Sequence, residues 1–345
     1  METVVGTETM QVARLFGAGD LRLVEEPAPG PPPPDHSTVA VSAVGICGSD
    51  LHWFSEGAIG DARLTAPLAL GHEMGGRALS GPYAGQRVAI DPAIPCEHCA
   101  TCRAGDANLC PDVVFAGHGG CDGGLREIMT WPTRLLHPVP DELGDAAVAA
   151  LEPLGVAIHA VDLSHLRLGA TVAVVGCGPI GIFLIELARL CGAARVIAVE
   201  PLEHRRRAAL EHGADEAHSP AADNAKIVAV QSVAHVVFEV SGSDAAVGAA
   251  LDAARPGARV VLVGIPDGDL TTFTASTARR KGLTLVMSRR MGEVYPRAIH
   301  LAATSIDVAS VVSDVFALQD VGQAFEHASA RRGLKTVVSL WSSTT

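Results

Sequence analysis

A glycine-rich turn between a buried strand and a helix constrains the fold of this chain more than any other sequence feature. The run TVAVVG (171–176) is apolar throughout, which is typical of a strand buried on both faces. The following run, PIGIFLIELARLCG (179–192), has the pattern of a helix, and Gly176, Gly178 and Gly181 give the spacing GxGxxG. In this context the glycines let the backbone approach a pyrophosphate, whose charge then lies on the free amides of the helix N-terminus. The turn therefore predicts a dinucleotide-binding βαβ unit.

Strands and helices continue to alternate after this turn. RVIAVE, HVVFEVSG, ARVVLVG and LTLVM are predicted strands, and SDAAVGAALDAARPG is a predicted helix between two of them. Such alternation forms right-handed βαβ units in a parallel sheet. We therefore predict a doubly wound Rossmann domain over residues 156–293. From 294 onwards the pattern predicts a helix, a second helix and a last strand, KTVVSL, which should pack back on the first domain.

The residue that ends the second Rossmann strand bears on the choice of cofactor. Glu200 follows Gly181 by 19 residues, where a carboxylate accepts hydrogen bonds from a ribose 2′-hydroxyl and repels a 2′-phosphate. This position favours NAD over NADP. Three arginines (205–207) follow closely, and an arginine can pair with a 2′-phosphate, so NADP stays open as the less favoured cofactor.

The first 155 residues have the pattern of a compact, mostly β domain with long loops. Short β-like runs (QVARLF, STVAVSAVG, QRVAI) alternate with glycine and proline, and PAPGPPPP (27–34) predicts a stiff, polyproline-like surface loop. At 345 residues, the chain has room for two domains with a substantial core.

Four cysteines crowd into fifteen residues of this first domain, with the spacing Cys96-x2-Cys99-x2-Cys102-x7-Cys110. Four thiolates can close a tetrahedron around one zinc and leave no position for a substrate, so we predict a structural zinc lobe over 94–112. An iron–sulfur cluster is the smaller competitor. Disulfides are disfavoured, because the opening METVVGTETM lacks the pattern of a secretory signal and the expected compartment is a reducing cytoplasm.

Charge and hydropathy disfavour two other classes of partner. A formal net charge of −12 is unsuited to a general nucleic-acid binder, because neutralising phosphates requires clustered lysine and arginine. No run was found with the roughly 20 uncharged apolar residues of a membrane span, since the longest candidate (171–184) contains three glycines and a proline. Small molecules are therefore the expected partners.

A third set of candidate residues is scattered along the chain: Cys47 within GICGSDLH, His72 and Glu73 within GHE, and Glu152 within LEPLG. Each has an ordinary alternative, because a lone cysteine is usually a small buried apolar residue and a lone histidine or glutamate is usually solvated. Their spacing alone does not bring them together.

Six segments taken in order supply that connection: GICGSDLH, APLALGHE, the four-cysteine lobe, EPLGVAIHA, GCGPIG and YPRAI. Together they resemble the zinc-containing medium-chain alcohol dehydrogenases, most closely the sorbitol and L-idonate 5-dehydrogenase branch. The resemblance implies an α/β fold, in which a GroES-like, mostly β catalytic domain (1–155 and 294–345) accompanies the Rossmann domain. It also implies a catalytic zinc in the cleft between the domains, held by Cys47 and His72. One of Glu73 and Glu152 is expected on the metal, and the other on its water or the substrate.

The same resemblance assigns roles to further residues. Ser49 would stand beside the reacting oxygen as the first member of a proton relay, with His52 as its outlet to solvent. Cofactor contacts are implied for positions in three segments: Gly176, Gly178, Pro179, Ile180 and Gly181; Glu200 and Arg205; Val263, Gly264 and Ile265. Substrate contacts are implied for Trp53, Glu152 and Arg290.

Two departures from the family pattern concern the substrate. Trp53 replaces a substrate-lining tyrosine, and Arg289-Arg290-Met291 replaces a Phe-Arg-Tyr triplet. The added arginine would suit an acidic or phosphorylated substrate such as a sugar acid, or it would lie at the surface of an oligomer contact.

The expected activity is the reversible, NAD-linked oxidation of a secondary alcohol on a polyol or sugar-derived substrate. Alternatives are a sugar-acid, cyclitol or diol dehydrogenase and, from another class, a non-catalytic nucleotide-binding zinc protein. Two zinc ions per chain and a homotetramer or dimer are also expected.

Overall fold

The computed structural model describes residues 8–220, 231–266 and 270–341, so most of the METVVGTETM segment lies outside the described residues. The chain divides into two compact units. The first consists of Met1–Glu152 with Tyr295–Thr345, and the second is Pro153–Val294. The boundaries predicted from sequence were 155/156 and 293/294.

The elements are as follows. The strands are β1 (Thr9–Gly17), β2 (Asp20–Pro27), β3 (His36–Gly45), β4 (Ala58–Ile59), β5 (Ala62–Arg63), β6 (Leu68–Ala69), β7 (Glu73–Ala78), β8 (Arg87–Ile90), β9 (Ala93–Ile94), β10 (Val114–Phe115), β11 (Ile128–Pro132), β12 (Leu136–Pro138), β13 (Thr171–Val175), β14 (Arg195–Val199), β15 (Glu216–His218), β16 (Ala234–Glu239), β17 (Ala254–Leu262), β18 (Thr284–Met287), β19 (Val312–Ala317) and β20 (Lys335–Ser339). The helices are α1 (Gly48–Glu56), α2 (Ala100–Arg103), α3 (Asp145–Ala149), α4 (Leu151–Ser164), α5 (Pro179–Leu190), α6 (Glu203–Glu211), α7 (Asp244–Ala253), α8 (Ala275–Lys281), α9 (Tyr295–Thr304) and α10 (Val321–Ser329). Short 3-10 turns lie at Ala107–Leu109, Thr133–Leu135 and Leu318–Asp320.

The first unit is mostly β. Its largest sheet has seven strands in the order β12-β8-β7-β3-β20-β19, with β11 also paired to β3, and a smaller sheet has the order β2-β1-β6. A buried apolar cluster fills this unit and includes Val44, Met74, Ile90 and Trp131. The last strand, β20, pairs with β3 through Val337 opposite Gly45, so the C-terminal segment joins the first domain as predicted.

One strand of the C-terminal segment was missing from the sequence prediction. The expected order was helix, helix and strand, but β19 lies between α9 and α10 and pairs in parallel with β20. Its sequence, VSDVFA, occupies the edge of the sheet and is only partly buried. An edge strand with Ser313 and Asp314 in its first half lacks the apolar run by which the buried strands were recognised.

The second unit is a parallel six-stranded sheet with the order β15-β14-β13-β16-β17-β18. The chain runs outward from β13 in both directions, which is the doubly wound topology predicted from sequence. The observed α/β fold with a GroES-like first domain and a Rossmann second domain therefore confirms the predicted class. The predicted helix over SDAAVGAALDAARPG is too long, because α7 ends at Ala253 and the next residues begin β17. Pro256 and Gly257, with a φ of 76° at the glycine, are unsuited to a helix interior.

One long apolar segment, Asp145–Ser164, is not among the apolar runs predicted from the sequence. By length and composition it could cross a membrane, and it is the single such helix among the described residues. Its 18-residue window is 67% buried in the protein, which is typical of a core helix. It contains three acidic residues (145, 152 and 162), so it has no long uncharged run of the kind by which membrane spans are recognised in a sequence.

Candidate metal centre and cofactor cradle

Three of the scattered candidate residues converge in the first unit. The ligand atoms of Cys47, His72 and Glu73 all lie within 4.8 Å of one another. Cys47 directly precedes α1 and is the second residue after β3, and Glu73 opens β7, where it pairs with Gly45 of β3. A Cβ at Gly45 would overlap the Glu73 carboxylate, so a side chain there would displace this carboxylate from its position. A sulfur, an imidazole and a carboxylate at this separation are a suitable zinc ligand set.

Asp50 supports this set and was not singled out from the sequence. Its buried carboxylate accepts hydrogen bonds from the backbone N–H of Cys47 (2.9 Å) and Gly71 (3.2 Å), and lies 3.4 Å from Nδ1 of His72. Burial raises the pKa of Asp50, but the interactions with His72 and the backbone outweigh it and the pKa is lowered. A carboxylate on one ring nitrogen fixes the orientation of a metal-binding histidine. Its position three residues after Cys47, in a helix-capping pattern, is the signal that could have found it.

A second supporting residue, Lys335, comes from the last strand. Its Nζ donates hydrogen bonds to both carboxylate oxygens of Glu73 (2.7 and 2.6 Å) and to the backbone oxygen of Ile46 (3.0 Å). The lysine is 4% exposed and the glutamate 1%. Burial lowers the pKa of Lys335, but the negative charges of Glu73 and Cys47 outweigh it, so the pKa is raised. A lysine within the apolar strand KTVVSL was the available sequence signal.

Glu152 lies in the same buried neighbourhood, in the first turn of α4. Burial raises its pKa to about 7, and the charges of Glu73 and Asp91 add to this effect, while His72 and Lys335 oppose it. Among the described residues, the set whose ligand atoms lie within 4.8 Å contains Glu73 and not Glu152. Of the two glutamates that the sequence left open, Glu73 is therefore the one grouped with Cys47 and His72.

The residues predicted for proton transfer lie on α1. The Ser49 hydroxyl is 3.4 Å from Nε2 of His72, and Nδ1 of His52 is 3.3 Å from the Glu56 carboxylate. Ser49 is thus next to a proposed zinc ligand, and its place beside the reacting oxygen stays a prediction. No role for Glu56 came from the sequence.

Trp53, predicted to contact substrate, is only 2% exposed and packs in the core of the first unit. Its ring meets the ring of His118 edge-on at 5.4 Å, and the ring of Phe115 lies 5.4 Å from that of His72. Phe115 and His118 therefore lie next to predicted site residues, although the sequence did not single them out. The glycine-rich stretch FAGHGG was the available signal.

The cysteine lobe has the geometry predicted for a second metal site. The sulfurs of Cys96, Cys99, Cys102 and Cys110 all lie within 4.8 Å of one another, and none is in a disulfide. Backbone N–H groups donate to three of these sulfurs, at 3.3–3.4 Å. Such a bond from Cys102 is the main reason why the pKa of Cys99 is lowered to about 6, whereas burial and the neighbouring thiols raise the pKa of Cys102 to about 12. Thiolates are the form that binds zinc, so the lobe suits a closed structural site.

In the second unit, the glycines of the GxGxxG turn have separate roles. Gly176 has a φ of 97°, and a Cβ at Gly181 would overlap the Gly176 backbone oxygen, so these two glycines allow close packing of β13 and α5. A Cβ at Gly178 would meet only Nη1 of Arg205, at 3.6 Å. Gly178 therefore leaves the start of α5, with Pro179 at its first position, open to a close ligand such as a pyrophosphate.

Glu200 lies directly against this turn. Its buried carboxylate accepts hydrogen bonds from the backbone N–H of Cys177 (2.8 Å) and Leu202 (3.0 Å). Because a carboxylate has about four acceptor sites, it can still accept from a ribose hydroxyl. Arg206 donates to the backbone oxygens of Glu200 and Pro201, whereas Arg205 reaches towards Gly178. The carboxylate and one guanidinium thus both lie beside the glycine-rich turn, and their contact with a ribose stays a prediction.

The predicted segment Val263, Gly264 and Ile265 joins the same edge of the sheet. A Cβ at Gly264 would overlap the backbone of Gly242, and a Cβ at Gly242 would overlap that of Ile265. Gly264 lies in the loop after β17, and Gly242 lies in the loop after β16. The loop after β16 also meets the turn after β13, since a Cβ at Gly176 would lie 3.1 Å from the Ser241 amide nitrogen. Ligands of open α/β sheets bind at this carboxyl edge. Glu239, missed from sequence, holds the edge by accepting hydrogen bonds from the amides of residues 241 and 242, each at 2.8 Å.

Arg290, the predicted substrate contact, has an unusual backbone. Its φ of 55° lies in the left-handed region, which a long side chain rarely adopts. Arg290 is half-buried, whereas its neighbour Arg289 is exposed. Five other described non-glycine residues also have a positive φ, so this feature is not specific to Arg290 and its contact with substrate stays a prediction.

Comparison with known protein families then identifies the chain. The family "Alcohol dehydrogenase GroES-like domain" matches residues 33–141, and the family "Zinc-binding dehydrogenase" matches residues 179–304. The chain belongs to the zinc-dependent alcohol dehydrogenases. Within this family it falls in the sorbitol dehydrogenase branch, as the six segments predicted.

Two curated relatives of this zinc dehydrogenase span nearly its full length. Probable D-xylulose reductase A of Neosartorya fischeri is 33% identical over 94% of this chain and 95% of its own length. Sorbitol dehydrogenase 2 of Saccharomyces cerevisiae is 32% identical over 94% of this chain and 96% of its own.

Two solved dehydrogenases have the same fold. L-idonate 5-dehydrogenase from Escherichia coli superimposes with a TM-score of 0.90 at 28% identity, covering 96% of this chain and 98% of that one. A putative zinc-binding dehydrogenase from Sinorhizobium meliloti, bound to NADP, has a TM-score of 0.87 at 30% identity, covering 96% and 100%. A zinc-dependent dehydrogenase acting on a small molecule is therefore established for this chain.

Proposed function

We propose that this dehydrogenase oxidises a secondary alcohol of a polyol or sugar-derived substrate to a ketone, reversibly and with NAD as the hydride acceptor. The observation that carries the proposal is the convergence of Cys47, His72 and Glu73 within 4.8 Å. A non-catalytic zinc protein has no physical reason to keep this set in addition to the cysteine lobe. The names of the relatives, a xylulose reductase and a sorbitol dehydrogenase, support polyol chemistry.

Different residues of the chain have different roles in this reaction. When bound, zinc supplies a Lewis acid for the hydroxyl and the nicotinamide accepts the hydride. Asp50 holds His72 in one orientation, and Lys335 holds the Glu73 carboxylate against the end of β3. Ser49 accepts the proton of the alcohol and His52 passes it towards solvent. In the reduction, the same groups return the proton.

NAD is proposed as the cofactor because the Glu200 carboxylate lies against the glycine-rich turn, from where it would accept a hydrogen bond from a ribose hydroxyl and repel a 2′-phosphate. Arg205 lies close to the same turn, and the S. meliloti relative binds NADP, so NADP is the alternative. We also propose two zinc ions per chain, one at Cys47 and one in the cysteine lobe, together with a homotetrameric or dimeric assembly in the cytoplasm.

A sugar acid is the second candidate substrate. Arg290 carries the observation that favours it, because a half-buried guanidinium held in a left-handed backbone can pair with a carboxylate. The similarity to L-idonate 5-dehydrogenase agrees with this reading.

The deciding experiment measures NADH and NADPH formation by the zinc-loaded enzyme over matched panels of polyols, sugar acids, cyclitols and small diols. The proposal expects the highest kcat/KM with NAD and a polyol or sugar-derived secondary alcohol. If sugar acids are preferred and Arg290→Leu removes that preference, the second candidate replaces the first. If no alcohol is oxidised with either cofactor, the proposed activity is wrong.

A further inference from the structure

Helix α1 carries a third polar residue in line with the two predicted for proton transfer. Ser49, His52 and Glu56 are separated by three and four residues, so they share one face of the helix. The residue before the helix is Cys47, so this face begins at the metal centre. Asp50 is not on this path, since its carboxylate is engaged by the amides of Cys47 and Gly71.

This face ends at an exposed side chain. Ser49 is half-buried and lies 3.4 Å from His72. The side chain of His52 is 19% exposed, and that of Glu56 is 53% exposed, with 3.3 Å between Nδ1 and the carboxylate. The face therefore leads from a buried metal ligand to a group in contact with solvent, which is the arrangement that release of a proton requires.

We propose that Glu56 is a positioning residue for proton release, acting through His52. An ionised carboxylate can only accept hydrogen bonds, so its contact makes Nδ1 of His52 the donor. Nε2 is then unprotonated in this tautomer, so it can accept a proton that arrives from Ser49. When Nε2 takes up that proton, the Nδ1 proton leaves to water beside Glu56. A ring flip of His52 then restores the starting tautomer, and one proton has been released per turnover.

This proton transfer agrees with the stoichiometry of the proposed alcohol oxidation, on which the inference rests. The substrate CH–OH loses one hydride to the nicotinamide and one proton to solvent, and Glu56 itself is unchanged at the end of the cycle. The carboxylate also offsets the positive charge that the imidazole carries while it holds both protons. Because Glu56 is half-exposed, we expect its loss to slow proton release by about two- to fivefold rather than to abolish it.

The test uses the zinc-loaded enzyme, saturating cofactor and the best alcohol from the substrate panel. Stopped-flow measurements follow NADH by absorbance and protons with an indicator dye in weak buffer, for wild type, Glu56→Gln and Glu56→Asp. Glu142→Gln serves as the matched control, since it removes one exposed carboxylate far from α1 in sequence.

Glu56→Gln should slow the proton-release phase about two- to fivefold with an unchanged KM for the alcohol. Glu56→Asp and added imidazole buffer should each recover part of the loss, because both supply a proton acceptor near His52.

If Glu56→Gln releases protons as fast as wild type and Glu142→Gln, the inference is overturned and the proposed activity is left intact. A loss that neither Glu56→Asp nor buffer recovers would also overturn it, because the effect would then be structural. If no alcohol is oxidised by the wild type, the proposed function fails and this inference falls with it.

Discussion

The buried pair of Lys335 and Glu73 makes the sharpest prediction for stability. The ammonium has three hydrogen-bond acceptors, and both side chains are almost fully buried. Lys335→Met keeps much of the volume but leaves the Glu73 carboxylate buried without its counter-ion. Removing one partner of a buried pair typically costs about 3–5 kcal/mol, because the remaining charge cannot be solvated. We expect the free energy of unfolding of the first unit to fall by about this amount in zinc-free protein.

The chain offers a probe for this unit alone. Its three tryptophans, Trp53, Trp131 and Trp341, all belong to the first unit. Urea unfolding followed by tryptophan fluorescence, after removal of metal with a chelator, therefore reports on the unit that contains the pair.

The double variant Lys335→Met/Glu73→Gln is the matched control. Neutralising the carboxylate as well should recover most of the loss, since the cost arises from the unpaired charge. A loss below about 1 kcal/mol in the single variant, or an equal loss in the double variant, would refute the buried ion pair as the source of the effect.

Two further predictions concern the cofactor and acid stability. Glu200→Ala should reduce the ratio of kcat/KM with NAD to kcat/KM with NADP by about tenfold or more. The reason is that the variant loses both the charge-assisted hydrogen bond to the ribose of NAD and the repulsion of the 2′-phosphate of NADP. An unchanged ratio would exclude Glu200 from ribose recognition. Burial raises the pKa of Asp122, but its bonds to Arg14 and to the Ala69 amide outweigh burial and lower it from 3.8. This stabilisation is complete above pH 3.8 and is lost as the pH falls through the lowered pKa. Asp122→Asn should therefore be less stable than wild type at pH 7, and its unfolding free energy should depend less on pH below 3.8; parallel curves for the two proteins would contradict this.

The Rossmann unit could be predicted closely because its signals are local. Buried parallel strands are continuous apolar runs, and the glycine turn follows directly from one of them. β19 could not be predicted in the same way, because an edge strand with Ser313 and Asp314 in its first half has no such run. Elements were thus recognised where burial on both faces leaves a pattern in the sequence.

The metal centre shows where reasoning from sequence stops. The cysteine lobe was predicted from spacing, since its four ligands lie close together in the chain. Cys47, His72 and Glu73 were joined only by resemblance to a family, because nothing in their spacing brings them together. Lys335 was missed, since it meets Glu73 across 262 residues through the pairing of β20 with β3. Trp53 fits a substrate position by resemblance, but its burial in the core depends on packing that no single segment encodes.

The central claim is that Cys47 and His72 hold a catalytic zinc separate from the structural zinc of the cysteine lobe. The most direct test is the zinc content per chain, measured by plasma mass spectrometry together with NADH formation, in wild type, Cys47→Ala and His72→Ala. We expect two zinc ions in wild type, and one zinc ion with no measurable turnover in each variant, because the lobe keeps its metal. Two zinc ions or full turnover in either variant would contradict the assignment.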